Sequence, residues 1–60
     1  MSEQMFALKS AKKAFGTTAF TEHHEAYMRV GYRKGNRIIS AIGDTWEDAL
    51  NALVLKSKEV

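Results

Sequence analysis

The clearest pattern in the chain is an alternation of apolar residues with arginine and glycine over Tyr27–Arg33. A period of two places successive side chains on opposite faces of a β-strand. The sequence RKGN follows, and its Gly35 and Asn36 tolerate the backbone of a tight turn. A second apolar segment, Arg37–Ile42, comes directly after it. The pattern therefore predicts an antiparallel hairpin over Tyr27–Ile42.

The two faces of this hairpin differ in character. Their composition is the same whether the turn residues are Lys34 and Gly35 or Gly35 and Asn36. The first face is apolar and comprises Met28, Val30, Tyr32, Ile39 and Ala41. The second is mixed and comprises Tyr27, Arg29, Gly31, Arg33, Ile38, Ser40 and Ile42. We expect the apolar face to form the floor of the core, which leaves open what covers the isoleucines of the mixed face.

An amphipathic helix is predicted after Gly43. Either Asp44 with Glu47 or Thr45 with Asp48 has the spacing of a capping box, and the acids favour the positive end of the helix dipole. The residues of its apolar stripe recur every three or four positions: Trp46, Ala49, Leu50, Leu53, Val54 and Ser57. We expect this stripe to pack on the apolar face of the hairpin.

The N-terminal segment predicts another helix, with a strand at Gln4–Lys9 as the alternative. Ser2 suits its start, and Gly16 suits its end. Its narrow apolar stripe comprises Met1, Met5, Leu8, Ala11 or Lys12, and Phe15. This helix is free to cover the mixed face, to pack beside the C-terminal helix, or to join another subunit. Between it and the hairpin, Thr17–Thr21 suits a brief edge strand and EHHE a polar loop.

These elements predict a single α+β domain over residues 1–60, with a small antiparallel sheet of two or three strands packed by the C-terminal helix. A chain of 60 residues buries only about 60% of the surface that its unfolded form exposes. It has no cysteine, which excludes disulfides and thiolate zinc sites. Stability must come from packing, and a homodimer is a natural expectation for such a small domain.

Composition excludes several classes of function. No apolar run reaches the ~18 residues of a membrane span, and the N-terminus lacks the order of a secretory signal. A soluble, cytoplasmic protein is expected. The adjacent His23 and His24 lack the spacing of a zinc protease motif, and neither a nucleophile elbow nor a phosphate-binding loop is present. We therefore expect no enzyme activity, metal, cofactor or small-molecule substrate.

Charged residues are sorted along the chain rather than mixed. The net charge is +2, but the cations of the first half lie in two blocks. These are Lys9, Lys12 and Lys13, and then Arg29, Arg33, Lys34 and Arg37. Acidic residues gather around Glu22 and Glu25 and again over Asp44–Asp48. This order predicts one basic face and one acidic end.

About half of the chain resembles the three-strand-plus-helix DNA-binding domains at the start of many phage integrases. The matching residues are Arg29, Arg33, Lys34, Arg37, Gly43, Thr45, Glu47, Asp48 and Ala49. The order helix, strands, helix is also similar to a small double-stranded-RNA-binding domain. That family has lysines at the start of its last helix, where this chain has Glu47 and Asp48. This difference disfavours RNA binding by that route.

The first function hypothesis is a small regulatory module that binds nucleic acid, in particular duplex DNA. A two-stranded ribbon fits the major groove, where cations neutralise phosphates and Tyr27 or Arg29 reaches base edges. The predicted contact residues are Tyr27, Arg29, Arg33, Lys34, Arg37, Ile38, Lys9, Lys12 and Lys13.

The alternative hypothesis is a protein-interaction or inhibitor module of the compact kind found in phage and small regulatory proteins. Its partner would be an acidic protein or a second copy of the chain, held by the hairpin's outer face. Ile38 and Ile42 favour this alternative, because duplex-facing sheets rarely carry aliphatic side chains. Tyr27 suits either stacking on a ligand or packing under the first helix. Both hypotheses are compatible with a homodimer, and neither involves a membrane.

Overall fold

Two helices and a three-stranded antiparallel sheet make up the computed structural model, which describes residues 3–59. The strands lie side by side in chain order. The elements are α1 (Glu3–Phe15), β1 (Phe20–His23), β2 (Met28–Lys34), β3 (Arg37–Gly43) and α2 (Trp46–Glu59). This arrangement confirms the predicted α+β class.

The hairpin of β2 and β3 has the predicted turn and the predicted faces. Lys34 pairs with Arg37 across a turn formed by Gly35 and Asn36. Gly35 has a φ of +63°, while no residue other than glycine has a positive φ in the described chain. A positive φ at the first turn residue alone is the pattern of a type II′ turn. The register pairs Val30 with Ala41 and Arg33 with Ile38, which confirms the assignment of faces.

The edge strand predicted over Thr17–Thr21 is placed wrongly. β1 begins at Phe20 and extends through Glu22 and His23, so the polar loop is shorter than EHHE. The physical reason is the hydroxyl of Thr18, which accepts a hydrogen bond from the N–H of Arg33 and donates one to its carbonyl, both at 3.1 Å. This side chain satisfies the backbone of β2, so the main-chain ladder starts two residues later.

Both helices pack on the same face of the sheet. Ala7 and Ala11 of α1 are buried in one cluster with Val30 of β2 and Leu53 of α2, and α1 contacts β1, β2 and α2. Of the three positions open to the first helix, the structure has it beside α2. The idea that α1 covers Ile38 and Ile42 is therefore wrong.

The inward side of α1 agrees with the predicted stripe at Ala11 and Phe15 and differs from it at Met5. Met5 is 52% exposed, whereas Ala7 and Ala11 are fully buried. Small residues four positions apart allow the helix to lie close to the sheet, and larger side chains flank the contact. Phe15 closes this end of the core by stacking on Tyr32, with ring centroids 4.5 Å apart. Met1 and Ser2, which the prediction also used, lie outside the described residues.

The start of α2 is set by Thr45 and Gly43. The Thr45 hydroxyl accepts a hydrogen bond from the N–H of Asp48 at 3.0 Å, so Thr45 acts as the N-cap. A Cβ at Gly43 would lie 2.5 Å from the backbone nitrogen of Ala49, which shows how closely the helix sits on the end of β3. Trp46, Ala49 and Leu53 are buried as predicted, but Val54 is 39% exposed, and its place in the predicted core is wrong.

Candidate functional site

Most of the cationic side chains lie at the end of the sheet that contains the β2–β3 turn, because both helices end there. α1 ends there, because Thr18 binds the backbone of Arg33. α2 runs back toward the same end, and the Nζ of Lys56 donates a hydrogen bond to the carbonyl of Ser40 at 2.9 Å. We call the following exposed residues the basic end: Lys12, Lys13, Arg33, Lys34, Arg37, Lys56 and Lys58.

The opposite end of the molecule is acidic. Seven of the nine Lys and Arg residues belong to the basic end, and six of the seven acidic residues lie at the other. We call these six the acidic end: Glu3, Glu22, Glu25, Asp44, Glu47 and Asp48. The longest dimension of the fold is 28 Å, which is more than twice the ~8 Å Debye length at physiological salt. The acidic end therefore does little to cancel the field of the basic end.

The charges of the basic end are available to a partner. None of its seven side chains takes part in an ion pair with a residue in the range 3–59. Lys34 and Arg37 form a cross-strand pair on the side of the hairpin where the helices lie. Arg33 points to the other side, and its Nε donates a hydrogen bond to the Gly35 carbonyl at 2.8 Å. The turn is thus flanked by positive charge on both faces of the ribbon.

Sequence reasoning found five members of the basic end and missed Lys56 and Lys58. The missed signal is topological, because a helix that follows β3 directly must return toward the β2–β3 turn when it packs antiparallel to that strand. Lys9 lies one helical turn before Lys12 and Lys13 on the exposed side of α1. It extends the basic end along that helix.

Tyr27 and Arg29, also predicted as contact residues, lie near the acidic end. The Tyr27 ring stacks on His24 with centroids 4.5 Å apart, and the Arg29 guanidinium lies 5.8 Å from the Tyr27 centroid. The Nε of Arg29 is 3.8 Å from a Glu22 oxygen, too far for a hydrogen bond. Tyr27 therefore shares the face of Arg29, away from the helices, and the interpretation that it packs under α1 is wrong.

The sheet face that points away from the helices is a second candidate surface. We call it the open face; its strand residues are Phe20, Glu22, Arg29, Gly31, Arg33, Ile38, Ser40 and Ile42. Ile38 is 69% exposed and Ile42 is 52% exposed. At its centre a Cβ on Gly31 would come within 2.6 Å of the Phe20 ring, so the ring lies across the glycine. The open face is largely apolar along β3 and charged along β2.

The histidines do not converge on a common site. His24 contacts a Glu22 oxygen at 2.8 Å on the open face, whereas the His23 ring lies 5.9 Å from that of Trp46 in the helix layer. Across residues 3–59 no three metal-ligating side chains are grouped to hold an ion. Within the same residues, neither helix combines the length and the apolar character that crossing a membrane requires.

The basic end and the open face are thus two candidate surfaces of the described chain. No protein-family model matches the sequence, and no curated protein and no solved structure is significantly similar to it.

Proposed function

We propose that this protein binds duplex DNA through the basic end. The observation that carries the proposal is the convergence of seven exposed cations from α1, the β2–β3 turn and α2 at one end of the fold. Lysine and arginine side chains that neutralise phosphates release condensed counterions, and this release supplies much of the affinity of DNA-binding proteins. Since these cations have no acidic partner among the described residues, binding breaks no ion pair.

The shape of the basic end suits a groove. A two-stranded ribbon fits the major groove of B-DNA, which is about 12 Å wide. The residues from Arg33 to Arg37 are all exposed around the turn. In the proposed complex this turn enters the groove, and the lysines at the ends of α1 and α2 face the phosphates on either side.

The acidic end orients the molecule. Its six carboxylates are repelled by phosphate, so the chain approaches DNA with its turn first. Tyr27 and Arg29 then lie away from the duplex, and contact with base edges falls to Arg33 and Arg37. Arginine is suited to this role, because its guanidinium makes paired hydrogen bonds to guanine.

A protein partner is the second candidate function, and the exposure of Ile38 and Ile42 favours it. Two aliphatic side chains that are 69% and 52% exposed on one sheet face are typical of an interaction surface. This function would use the open face and leave the basic end to steer an acidic partner toward it.

The test is a titration of a labelled, random-sequence DNA duplex with the protein at several salt concentrations, beginning at ~50 mM. We expect binding that weakens steeply with salt. The double variant Arg33→Ala with Lys34→Ala should bind at least about tenfold more weakly at low salt and lower the salt slope by about two units, since both side chains neutralise phosphates in non-specific binding to a random-sequence duplex.

A control variant with the wild-type net charge distinguishes the effect of where the cations lie from the effect of net charge. The double variant lowers the net charge from +2 to 0, and adding Glu25→Gln and Glu47→Gln returns it to +2. We expect the four-residue variant to bind nearly as weakly as the double variant, because only the basic end meets phosphate. Recovery of wild-type affinity would show that overall charge alone drives binding. No binding by the wild type at ~50 mM salt, where even non-specific basic domains bind, would overturn the proposed function.

A further inference from the structure

We infer that two copies of this chain pair through the outer edge of β3, antiparallel and around a two-fold axis at Ser40. The three strands of each copy then form one continuous sheet of six. The strand edge and the open face, rather than the basic end, carry this inference, and it is tested without DNA.

The outer edge of β3 has backbone groups free to pair with a second copy of the strand. Because the turn has two residues, Lys34 and Arg37 form a hydrogen-bonded pair. Hydrogen-bonded and non-hydrogen-bonded pairs alternate along an antiparallel ladder, so the even-numbered residues of β3 make no backbone hydrogen bonds to β2. The N–H and C=O groups of Ile38, Ser40 and Ile42 therefore point away from the sheet. Of these groups only the Ser40 carbonyl has a partner among the described residues, the ammonium of Lys56. An axis at Ser40 pairs all of them between the two copies.

The side chains of β3 are self-complementary about the same axis. Ile38 and Ile42 lie two residues to either side of Ser40, so each Ile38 comes opposite Ile42 of the other copy. Cross-strand pairs of β-branched residues stabilise antiparallel sheets. The pairing also brings together on the open face the two most exposed aliphatic residues of the strand layer, which are 69% and 52% exposed in the monomer. Natural sheets rarely leave such an edge unprotected.

The helix layer accommodates the second copy. α2 contacts both β2 and β3, so its axis lies above these two strands and just inside the edge. With strands about 4.8 Å apart, the two α2 axes come to lie roughly 10 Å apart, near the upper limit of ordinary helix packing. Ala52 and Lys56 lie one turn apart on one flank of α2, and the Lys56–Ser40 contact shows that this flank faces the edge. The small side chain of Ala52 permits a close approach.

The distribution of charge favours the antiparallel orientation, and it favours a second copy of the chain as the partner. Reversing the strand direction places the basic end of each copy beside the acidic end of the other. Arg37 of each copy then lies opposite Gly43 of the other, next to Asp44. An unrelated extended segment could pair with the same edge, but this match of apolar and charged positions comes from the chain itself.

The experiment exploits the lack of cysteine in the chain. Ser40→Cys introduces a single thiol at the proposed axis. Directly opposed residues in a hydrogen-bonded antiparallel pair have Cα atoms about 5.5 Å apart, within the usual range for a disulfide of about 4.4–6.8 Å. Leu55→Cys is the matched control, because Leu55 is 64% exposed on α2 and away from the proposed axis. Mild oxidation of each variant is followed on a non-reducing gel, and sedimentation gives the mass without DNA.

We expect the wild-type protein to have the mass of a dimer, and Ser40→Cys to cross-link at least tenfold faster than Leu55→Cys. Ile38→Glu should shift the mass to that of a monomer, whereas Leu55→Glu should keep the dimer. A monomeric wild-type protein would overturn the inference. So would a dimer in which the two cysteine variants cross-link equally fast, since the contact would then lie elsewhere.

Discussion

Leu53 and Leu55 provide a paired test of the core, because the same substitution should destabilise the fold strongly at Leu53 and hardly at all at Leu55. Leu53 is fully buried in the cluster that joins both helices to the sheet, whereas Leu55 is 64% exposed on the same helix. Leu→Ala at either position removes the same atoms and changes the helix propensity equally. The difference between the two variants therefore isolates the contribution of packing.

The expected magnitude follows from burial. Leu→Ala in a well-packed core costs ~2–5 kcal/mol, including the cavity left behind. A domain of this length has a total free energy of unfolding of about 3–9 kcal/mol, so Leu53→Ala removes much or all of it. Each kcal/mol lowers the midpoint of thermal unfolding by ~4–8 °C in a domain this small. We expect Leu53→Ala to melt at least about 10 °C below the wild type, and Leu55→Ala to stay within about 0.5 kcal/mol of it.

The assay is thermal unfolding followed by circular dichroism, with all proteins at one concentration so that self-association affects them equally. Urea unfolding checks that both variants keep the wild-type m-value. If Leu53→Ala melted within two or three degrees of Leu55→Ala, the side chain could not be the centre of the core, and the packing of both helices on one face of the sheet would be refuted.

Two further predictions concern the start of α2. Gly43→Ala should unfold at a clearly lower urea concentration than the wild type, because its new Cβ would lie 2.5 Å from the backbone nitrogen of Ala49. Relieving this clash requires a shift of the backbone. An unchanged urea midpoint would mean that α2 does not pack against the end of β3. Thr45→Ala should lower the free energy of unfolding by ~0.5–2 kcal/mol, because the N-cap hydrogen bond to Asp48 is lost. Thr45→Ser keeps a hydroxyl and should retain most of this stability. Equal melting temperatures of the two variants would show that Thr45 is not the N-cap.

The hairpin and α2 could be predicted from the sequence because their signals are local. A period of two assigns Met28, Val30 and Tyr32 to one face whatever the rest of the chain does. Gly43 followed by capping residues likewise marks the start of α2 within a few positions. These elements needed no knowledge of the tertiary fold, and the structure confirms both.

The remaining elements depend on tertiary contacts that no local pattern shows. The start of β1 is set by Thr18, whose hydroxyl takes the place of a strand partner for Arg33. The stripe predicted for α1 included Ala11 and Phe15, which face the core, but it placed Met5 on the inward side, where Ala7 is buried instead. A small residue is buried here because two surfaces approach closely, and that approach is a property of the assembled layers.

Only part of the candidate site could be predicted, because some of its residues are brought together by the tertiary fold. The cations around the turn are neighbours in sequence, so Arg33, Lys34 and Arg37 were found. Lys56 and Lys58 join them only because α2 runs back over the sheet. Tyr27 shares a strand face with Arg33, yet it lies at the far end of the sheet, where the chain concentrates its carboxylates.

The most direct test of DNA binding by the basic end is a nuclear magnetic resonance titration of the ¹⁵N-labelled protein with a random-sequence duplex at ~50 mM salt. We predict that the largest changes in amide shift fall in residues 12–18, 33–37 and 54–59, which surround the basic end, and that residues 22–26 and 44–48 at the acidic end stay nearly unchanged. Changes centred on the acidic end or spread along the open face, or no changes at all, would contradict the proposed interface.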